Sequence, residues 1–521
     1  MNIKKRISQS ISLSFHVQPK VMYLFLIILL GTFLRLYNLG IESFWFDEIY
    51  TVHQVSQDSQ TLIHQLIIQG DLTRNAIYYL LAHFWVLPYG VTEVSIRSLS
   101  ALFGVLSIGM MYLVGNALFG TQVGLLSSFL MAISTFQIQH SQDARFYSLF
   151  VLLTLVSLYF YILAIKTKQL WLWIISSLIN ILLFYTHTYA IFVFAVEYIH
   201  YFIYWKNNKD ALIQWVTSQT LLIFTIVVGF IPMLREEGSV VGLSKGLAWI
   251  TVPSFRDLLR TVYGYLFPQN YQHSWLFISA SFFAATVFFI IGIFSFNIRR
   301  IRNRSFAELR NWVRNTQFLP PISSELILVA IWLIFPVMLP FIYSRLFSPI
   351  FADRYMICAA PAFYLLIAIA ILRVSRVIPI SLSLGALMIV IIPGLQDYYV
   401  SDINEQWREV GAYVQENGYP NDVIVIAPDA NGYQTKSFDW YYQGALPSCG
   451  ISSIIDKEQE IARILADCTM THDRFWVVMR GPPEVVSRFK SFILNPNLTT
   501  IQLINERHFV EISVYLFDLS R

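Results

Sequence analysis

Two adjacent carboxylates, Asp47 and Glu48, stand just behind Trp45 where the first apolar stretch of this chain ends. With only 13% charged residues in the sequence, such a pair at a membrane boundary either solvates a loop or does chemistry. A carboxylate placed there can take the proton of an acceptor hydroxyl, a role worth about 10²–10⁴-fold in rate. Neighbours on a helix point about 100° apart, so one of the two faces a substrate and the other orients or binds. The spacing leaves open which. A second polar cluster runs His140-Ser141-Gln142-Asp143-Ala144-Arg145-Phe146-Tyr147. Asp143 offers another carboxylate, and Arg145 a guanidinium that could hold phosphate; an interfacial ion pair or a snorkelling arginine is the plainer reading. Further cations are Arg74, Arg97, Arg345 and Arg354, of which Arg74 and Arg354 are preferred for phosphate. His53, His140 and His187 show no tight ligand spacing such as His-x-x-x-His, so a divalent metal is conceivable but not favoured. Glu197, with His200 nearby, is the one carboxylate deep inside an expected span.

These groups need a scaffold, and composition says which kind. The 521 residues are 56% hydrophobic and 16% aromatic, which excludes an ordinary soluble protein. Apolar runs place spans near 21–39, 96–117, 122–139, 146–165, 169–186, 188–205, 211–232, 274–297, 324–343, 354–372 and 377–395. The first is read as an uncleaved helix, since no small-residue cleavage site follows it. The stretch 75–89 is apolar but shorter than the roughly 20 residues a span needs, so it is expected to lie in the interface. Parity supports that choice. With 75–89 interfacial, the basic loops at 166–168, 206–209, 299–314 and 373–376 share the side of the basic N-terminus, as the positive-inside bias requires. Asp47, Glu48, the 140–147 cluster, the 233–273 loop, the loop before Arg354 and everything after about 396 then face outward. The net charge of +4 speaks for orientation and not for nucleic acid.

After Pro393 the chain becomes polar. An amphipathic helix is expected at 407–417, strands at 422–427, 475–479 and 509–517, and a helix near 484–492. The fold class is therefore an all-α polytopic membrane domain over 1–395, with about 11 transmembrane helices plus interfacial helices, and a small extracytoplasmic α/β domain over 396–521. Of the three cysteines, Cys358 reads as packing within a span; Cys449 and Cys468 could pair in an oxidising compartment, and spacing does not decide it.

A group transferred on the outer face cannot come from a nucleoside triphosphate, so an activated donor must arrive within the membrane. Lipid-linked sugar phosphates meet that need. The stretch from Leu34-Arg35-Leu36 to Trp45-Phe46-Asp47-Glu48 resembles the first outer loop of GT-C type polyprenyl-phosphate-sugar glycosyltransferases, in particular the protein O-mannosyltransferase and aminoarabinose transferase group (glycosyltransferase family 39-like). Ala76–Leu81 with Ser95–Gly104, Ser141–Leu149, and Asp353-Arg354-Tyr355 leading to Ala360-Pro361-Ala362 resemble further stretches of that pattern. The resemblance is good over 35–165, thinner to 395 and poor beyond.

The resemblance implies an inverting transfer from a polyprenyl-phosphate sugar to a protein, lipid or polysaccharide hydroxyl. It makes Asp47 the base in preference to Glu48, and Asp143 a second outer-loop carboxylate near the acceptor; Glu48 stays beside them as a candidate catalytic carboxylate on its adjacency to Asp47. The substrate-binding set becomes Arg74, Arg145, Tyr147, Arg354 and Tyr355. Group members often carry a His-Pro-Pro-like segment before the interfacial helix; this chain has Asp71-Leu72-Thr73-Arg74-Asn75, so Arg74 stands in. The expected setting is a multi-pass protein of a bacterial inner or plasma membrane. A lipid-linked-sugar transporter or flippase is the alternative, but it would gather charge at the midplane in repeated halves. A membrane scaffold would leave both carboxylate clusters without a purpose.

Overall fold

The structure, a computed structural model, describes residues 18–67, 75–205, 209–235, 250–266, 323–374, 380–429, 432–451, 458–494 and 501–519. The chain is a mostly helical membrane protein with a small mixed-sheet domain at its C-terminal end. Among the described residues seven helices are long and apolar enough to cross a bilayer, or eight if one bent pair counts as a span. They begin with α1 (Pro19–Leu36), after which α2 (Phe46–Val55), α3 (Ser59–Ile67) and α4 (Ala76–Val86) follow as short helices. At 1.5 Å per residue α4 is about 16 Å long, roughly half a bilayer core.

The expected span at 122–139 is broken. It forms α6 (Thr121–Ile133) and α7 (Thr135–Gln142), bent by 58° about Ser134, after α5 (Glu93–Phe119). A bend strands helical carbonyls, and here Arg35 answers them. Its guanidinium, fully buried, donates to the carbonyls of Met131 (3.2 Å) and Ala132 (3.0 Å) and to Ser141 Oγ (3.2 Å). The expected spans at 169–186 and 188–205 appear as α9 (Leu170–Thr186) and α10 (Ala190–Ile203), behind α8 (Tyr147–Thr167). Both are shorter than a full crossing, which lowers the number of long spans below the expected eleven. The expected span 274–297 lies outside the described residues. The 233–273 segment is not all loop: α12 (Phe255–Gly264), following α11 (Leu212–Arg235), is a polar helix capped by Ser254, whose hydroxyl accepts from the Asp257 N–H. α13 (Ser324–Leu346), α14 (Ala360–Val374) and α15 (Ile380–Val400) complete the bundle, and a 3₁₀ turn over Asp353–Ala359 leads into α14.

The C-terminal unit contains α16 (Trp407–Asn417), β1 (Asp422–Ala427), α17 (Tyr433–Tyr441), β2 (Ser448–Gly450), α18 (Glu458–Thr469), β3 (Arg474–Arg480), α19 (Pro483–Ile493), β4 (Ile501–Phe509) and β5 (Ile512–Leu519). The strand order is β2-β1-β3-β5-β4, with β1 parallel to β2 and β3, and β5 antiparallel to both its neighbours. The strand expected at 509–517 is β5, which begins at Ile512; β4, not expected from the sequence, precedes it as the other arm of a hairpin that turns at Val510-Glu511, with Glu511 at φ 56°. β1 is buried along its whole length, as a strand covered on both faces must be. Val423 and Val425 pack toward one helical layer, Ile424 and Ile426 toward Trp407, Val414 and Phe438 on the other. Cys449 and Cys468 form a disulfide, which sequence had left open, and Cys358 is a buried free thiol.

Candidate active site

The site is built on the N-terminus of α2. Trp45 precedes it in extended conformation, and the Glu48 side chain reaches back to accept the Trp45 N–H at 3.3 Å. Two acids in the first turn also suit the positive end of the helix dipole. From there the neighbours diverge. Glu48 turns into the protein and is fully buried. Arg97 Nε donates to its Oε1 (2.8 Å) and Arg97 Nη2 to its Oε2 (2.6 Å), while the Ala144 N–H adds 2.7 Å to Oε1. The other Arg97 hydrogens go to the carbonyls of Leu39, Glu42 and Ser43. Burial pushes the Glu48 carboxyl up, and the Arg97 charge and hydrogen bonds oppose it. The pair locks α2, α5 and the 143–146 turn together.

Asp47 turns the other way, into a cleft of about 670 Å³ whose walls include Trp45, His140, Asp143, Arg260, Arg354 and Glu405. Its carboxylate lies 3.5 Å from Arg354 Nη1, and both side chains are about a quarter exposed (23% each). Arg354 sits over the Trp45 and Tyr355 rings at 5.4 and 5.7 Å. Its neighbour Asp353 accepts the Arg354 backbone N–H at 2.7 Å. Arg145 anchors the backbone under the acid, its Nη1 donating to the Asp47 carbonyl (3.0 Å), Thr51 (3.3 Å) and Tyr79 (3.4 Å). Tyr147 packs beside His140, and its buried hydroxyl has no hydrogen-bond partner among the described residues. Tyr355 packs against His187 (4.8 Å) and Tyr189 (5.2 Å). Asp143 is held by His140 Nδ1 at 2.9 Å.

Asp47, Asp143 and Arg354 thus share the cleft, with Arg145, Tyr147 and Tyr355 next to it. Glu48 lies behind its wall, and Arg74 falls outside the described residues. Two other arginines weighed for phosphate are engaged elsewhere: Arg97 by Glu48, and Arg345 by the Pro253 carbonyl at 2.9 Å. Among the described residues no three His, Cys, Asp or Glu side chains gather as a metal site. Glu197 is enclosed in a bonded network, accepting from Ser157 (2.7 Å) and Asn180 (2.9 Å).

Sequence reasoning missed the groups that reach the cleft from outside the bundle: Asp257 and Arg260 on α12, and Glu405, Arg480 and Glu511 from the C-terminal side. No local signal marks them, because each is an ordinary charge in a polar segment. Arg35 did carry a signal, an arginine inside the last turn of an apolar helix, where only buried acceptors could hold it.

Residues 76–235 match the family model described as dolichyl-phosphate-mannose-protein mannosyltransferase. The fold is similar to that of ArnT from Cupriavidus metallidurans bound to undecaprenyl phosphate, with TM-score 0.54 and 11% identity, covering 95% of this chain and 97% of that one. It is also similar to the Archaeoglobus fulgidus oligosaccharyltransferase in the apo form, with TM-score 0.54 and 13% identity over 89% of this chain and 70% of that one. The same archaeal enzyme in complex with an inhibitory peptide and a dolichol-phosphate gives 0.50 at 13% identity, over 88% and 69%. No curated protein matches the sequence. At such identities the structures speak for the fold alone, and the family model speaks for a part of the chain: over residues 76–235 this membrane protein is similar to the dolichyl-phosphate-mannose-protein mannosyltransferases.

Proposed function

We propose that the protein transfers a glycosyl group from a polyprenyl phosphate to an acceptor hydroxyl at the outer membrane face, with inversion and with Asp47 as general base. The acceptor oxygen loses its proton to Asp47 and attacks the anomeric carbon, and the bond from that carbon to the phosphate oxygen breaks. The phosphate leaves with an added negative charge, which a guanidinium must stabilise. The observation that carries this reading is the placement of Asp47 and Arg354 side by side in one cleft. Their 3.5 Å separation is longer than the roughly 2.7–2.9 Å of a committed charge-assisted bond, so an incoming phosphate can draw Arg354 away and leave the carboxylate basic. The Tyr147 hydroxyl and Arg145 Nε, which have no hydrogen-bond partner among the described residues, supply further donors. Asp143 is the acceptor-side carboxylate, and Glu48 positions α2 and does not touch substrate.

Similar proteins have been seen with undecaprenyl phosphate, with dolichol-phosphate and with peptide, which supports a lipid-phosphate donor here. The outward orientation rests on the positive-inside bias, on about eleven spans, and on a division between a membrane domain (1–395) and an outer domain (396–521). The Cys449–Cys468 disulfide supports the same placement, since such bonds persist in oxidising compartments.

The test is turnover of a panel of polyprenyl-phosphate sugars with membrane acceptors by the purified protein and its Asp47→Asn variant. The expected result is a loss of about 10²–10⁴-fold with the variant still folded. Undiminished transfer by Asp47→Asn removes Asp47 from the chemistry.

A further inference from the structure

The first N–H groups of any helix lack intrahelical acceptors and are usually satisfied by a side chain close in sequence. In α2 one of them is met from far away. The Phe46 N–H, immediately before Asp47, donates to Glu405 Oε2 at 3.1 Å across 359 residues. Glu405 belongs to the C-terminal unit and is 3% exposed. Its own position is held from that unit's core. Trp407, fully buried between α16 and the sheet, donates from Nε1 to Oε2 at 2.6 Å. Arg480, the last residue of β3, donates from Nε to Oε1 at 2.5 Å and lays its guanidinium 4.9 Å over the Phe46 ring. The Glu405 main-chain carbonyl accepts from Ser43 Oγ at 2.5 Å, so the contact has two points. A continuous chain of fixed groups therefore runs from the sheet through Trp407 and Arg480 to Glu405, to the Phe46 N–H, and so to Asp47.

We infer that Glu405 is a positioning residue for the proposed base: from the C-terminal unit it caps the helix that carries Asp47 and sets the angle at which that carboxylate enters the cleft. The inference rests on the reading of Asp47 as base. It assigns the C-terminal unit a part in the reaction itself, because α2 is held from the membrane bundle through Glu48 and Arg97 and from the C-terminal unit through Glu405. Removing the cap frees the first turn to fray, and a displacement of about 1 Å at a reacting group can lower a rate by about a hundredfold.

The experiment uses the full chain in detergent or nanodiscs. Amide hydrogen exchange is followed at the peptide containing Phe46 and Asp47, undecaprenyl phosphate serves as the binding probe, and turnover is measured with whichever panel donor the unaltered protein uses. Glu405→Ala is expected to speed exchange of that peptide by about five- to tenfold. It should lower kcat by about ten- to a hundredfold while KM for the donor and undecaprenyl phosphate affinity stay unchanged. Glu405→Gln, which keeps an oxygen for the Phe46 N–H, should recover most of both losses. If Glu405→Ala does not yield folded protein, Arg480→Gln, which releases Glu405 Oε1, is judged on the same readouts. Unchanged exchange, or faster exchange with unchanged kcat, overturns the inference. An inactive Asp47→Asn alongside a fully active Glu405→Ala sinks the positioning role alone; an active Asp47→Asn sinks the reading of the base.

Discussion

Glu48 and Arg97, 49 residues apart, meet through two hydrogen bonds of 2.6 and 2.8 Å inside the protein, with neither side chain more than 3% exposed. This pair explains how two adjacent acids come to have different surroundings. Once Glu48 is bound inward, helix geometry points Asp47 about 100° away, into the cleft.

Breaking the pair on one side leaves a buried charge without a partner. Glu48→Ala and Arg97→Ala are each expected to destabilise the protein by about 3–5 kcal/mol, read as a lowered unfolding temperature in detergent. The double variant Glu48→Leu/Arg97→Met should recover much of that loss, because it removes both charges together. Additive losses would contradict a coupled pair.

Arg354 is expected to bind the donor phosphate. Arg354→Ala should weaken undecaprenyl phosphate binding by about ten- to a hundredfold, the range for lost hydrogen bonds to a charged group. Arg354→Lys should restore little, since an ammonium cannot reproduce the guanidinium fork or its stacking on Trp45. A titration of the purified variants with undecaprenyl phosphate checks both outcomes, and unaltered affinity would remove Arg354 from the phosphate site.

Two glycines of α5 should respond with opposite signs. A Cβ at Gly104 would meet Ser141 Oγ at 2.2 Å and Arg35 Nε at 2.9 Å, at the point where Arg35 serves the α6–α7 bend. Gly104→Ala should therefore destabilise by about 1–3 kcal/mol through overpacking. Among the described residues nothing lies within 4 Å of a Cβ at Gly109, so Gly109→Ala should be neutral or stabilising by up to about 1 kcal/mol from helix propensity. Thermal unfolding of the two variants side by side decides it.

The C-terminal unit should be acid-sensitive through Asp422. Burial works to raise this carboxyl, but hydrogen bonds from Arg474, the Tyr419 N–H and Trp476 outweigh it and leave it below its ordinary value. A carboxyl lowered by folding adds stability above its unfolded value, about 3.9, and loses that stability as pH falls through the folded value. Unfolding should thus set in below about pH 4. Asp422→Asn should be less stable at neutral pH and should show a flatter acid limb; an unchanged acid limb in near-UV circular dichroism would exclude Asp422 as the cause.

The membrane class, the shortness of the apolar helix Ala76–Val86 and the adjacency of Asp47 and Glu48 are legible from the residues alone, because apolar length and helical period are local properties. The sequence also located α16, β1, β3, α19 and most of β5, but it gave no sign of β4, which pairs with β5 across a two-residue turn with no glycine. Which carboxylate enters the cleft is settled by packing, since the groups that bind Glu48 lie 49 and 96 residues away. Packing alone brought Arg354 to Asp47, put Arg35 beneath the Ser134 bend and set Glu405 on the first turn of α2. Each is a pairing of charge or hydrogen-bonding capacity between distant segments. Periodicity shows that such a group must be satisfied, and only the packed chain shows by what.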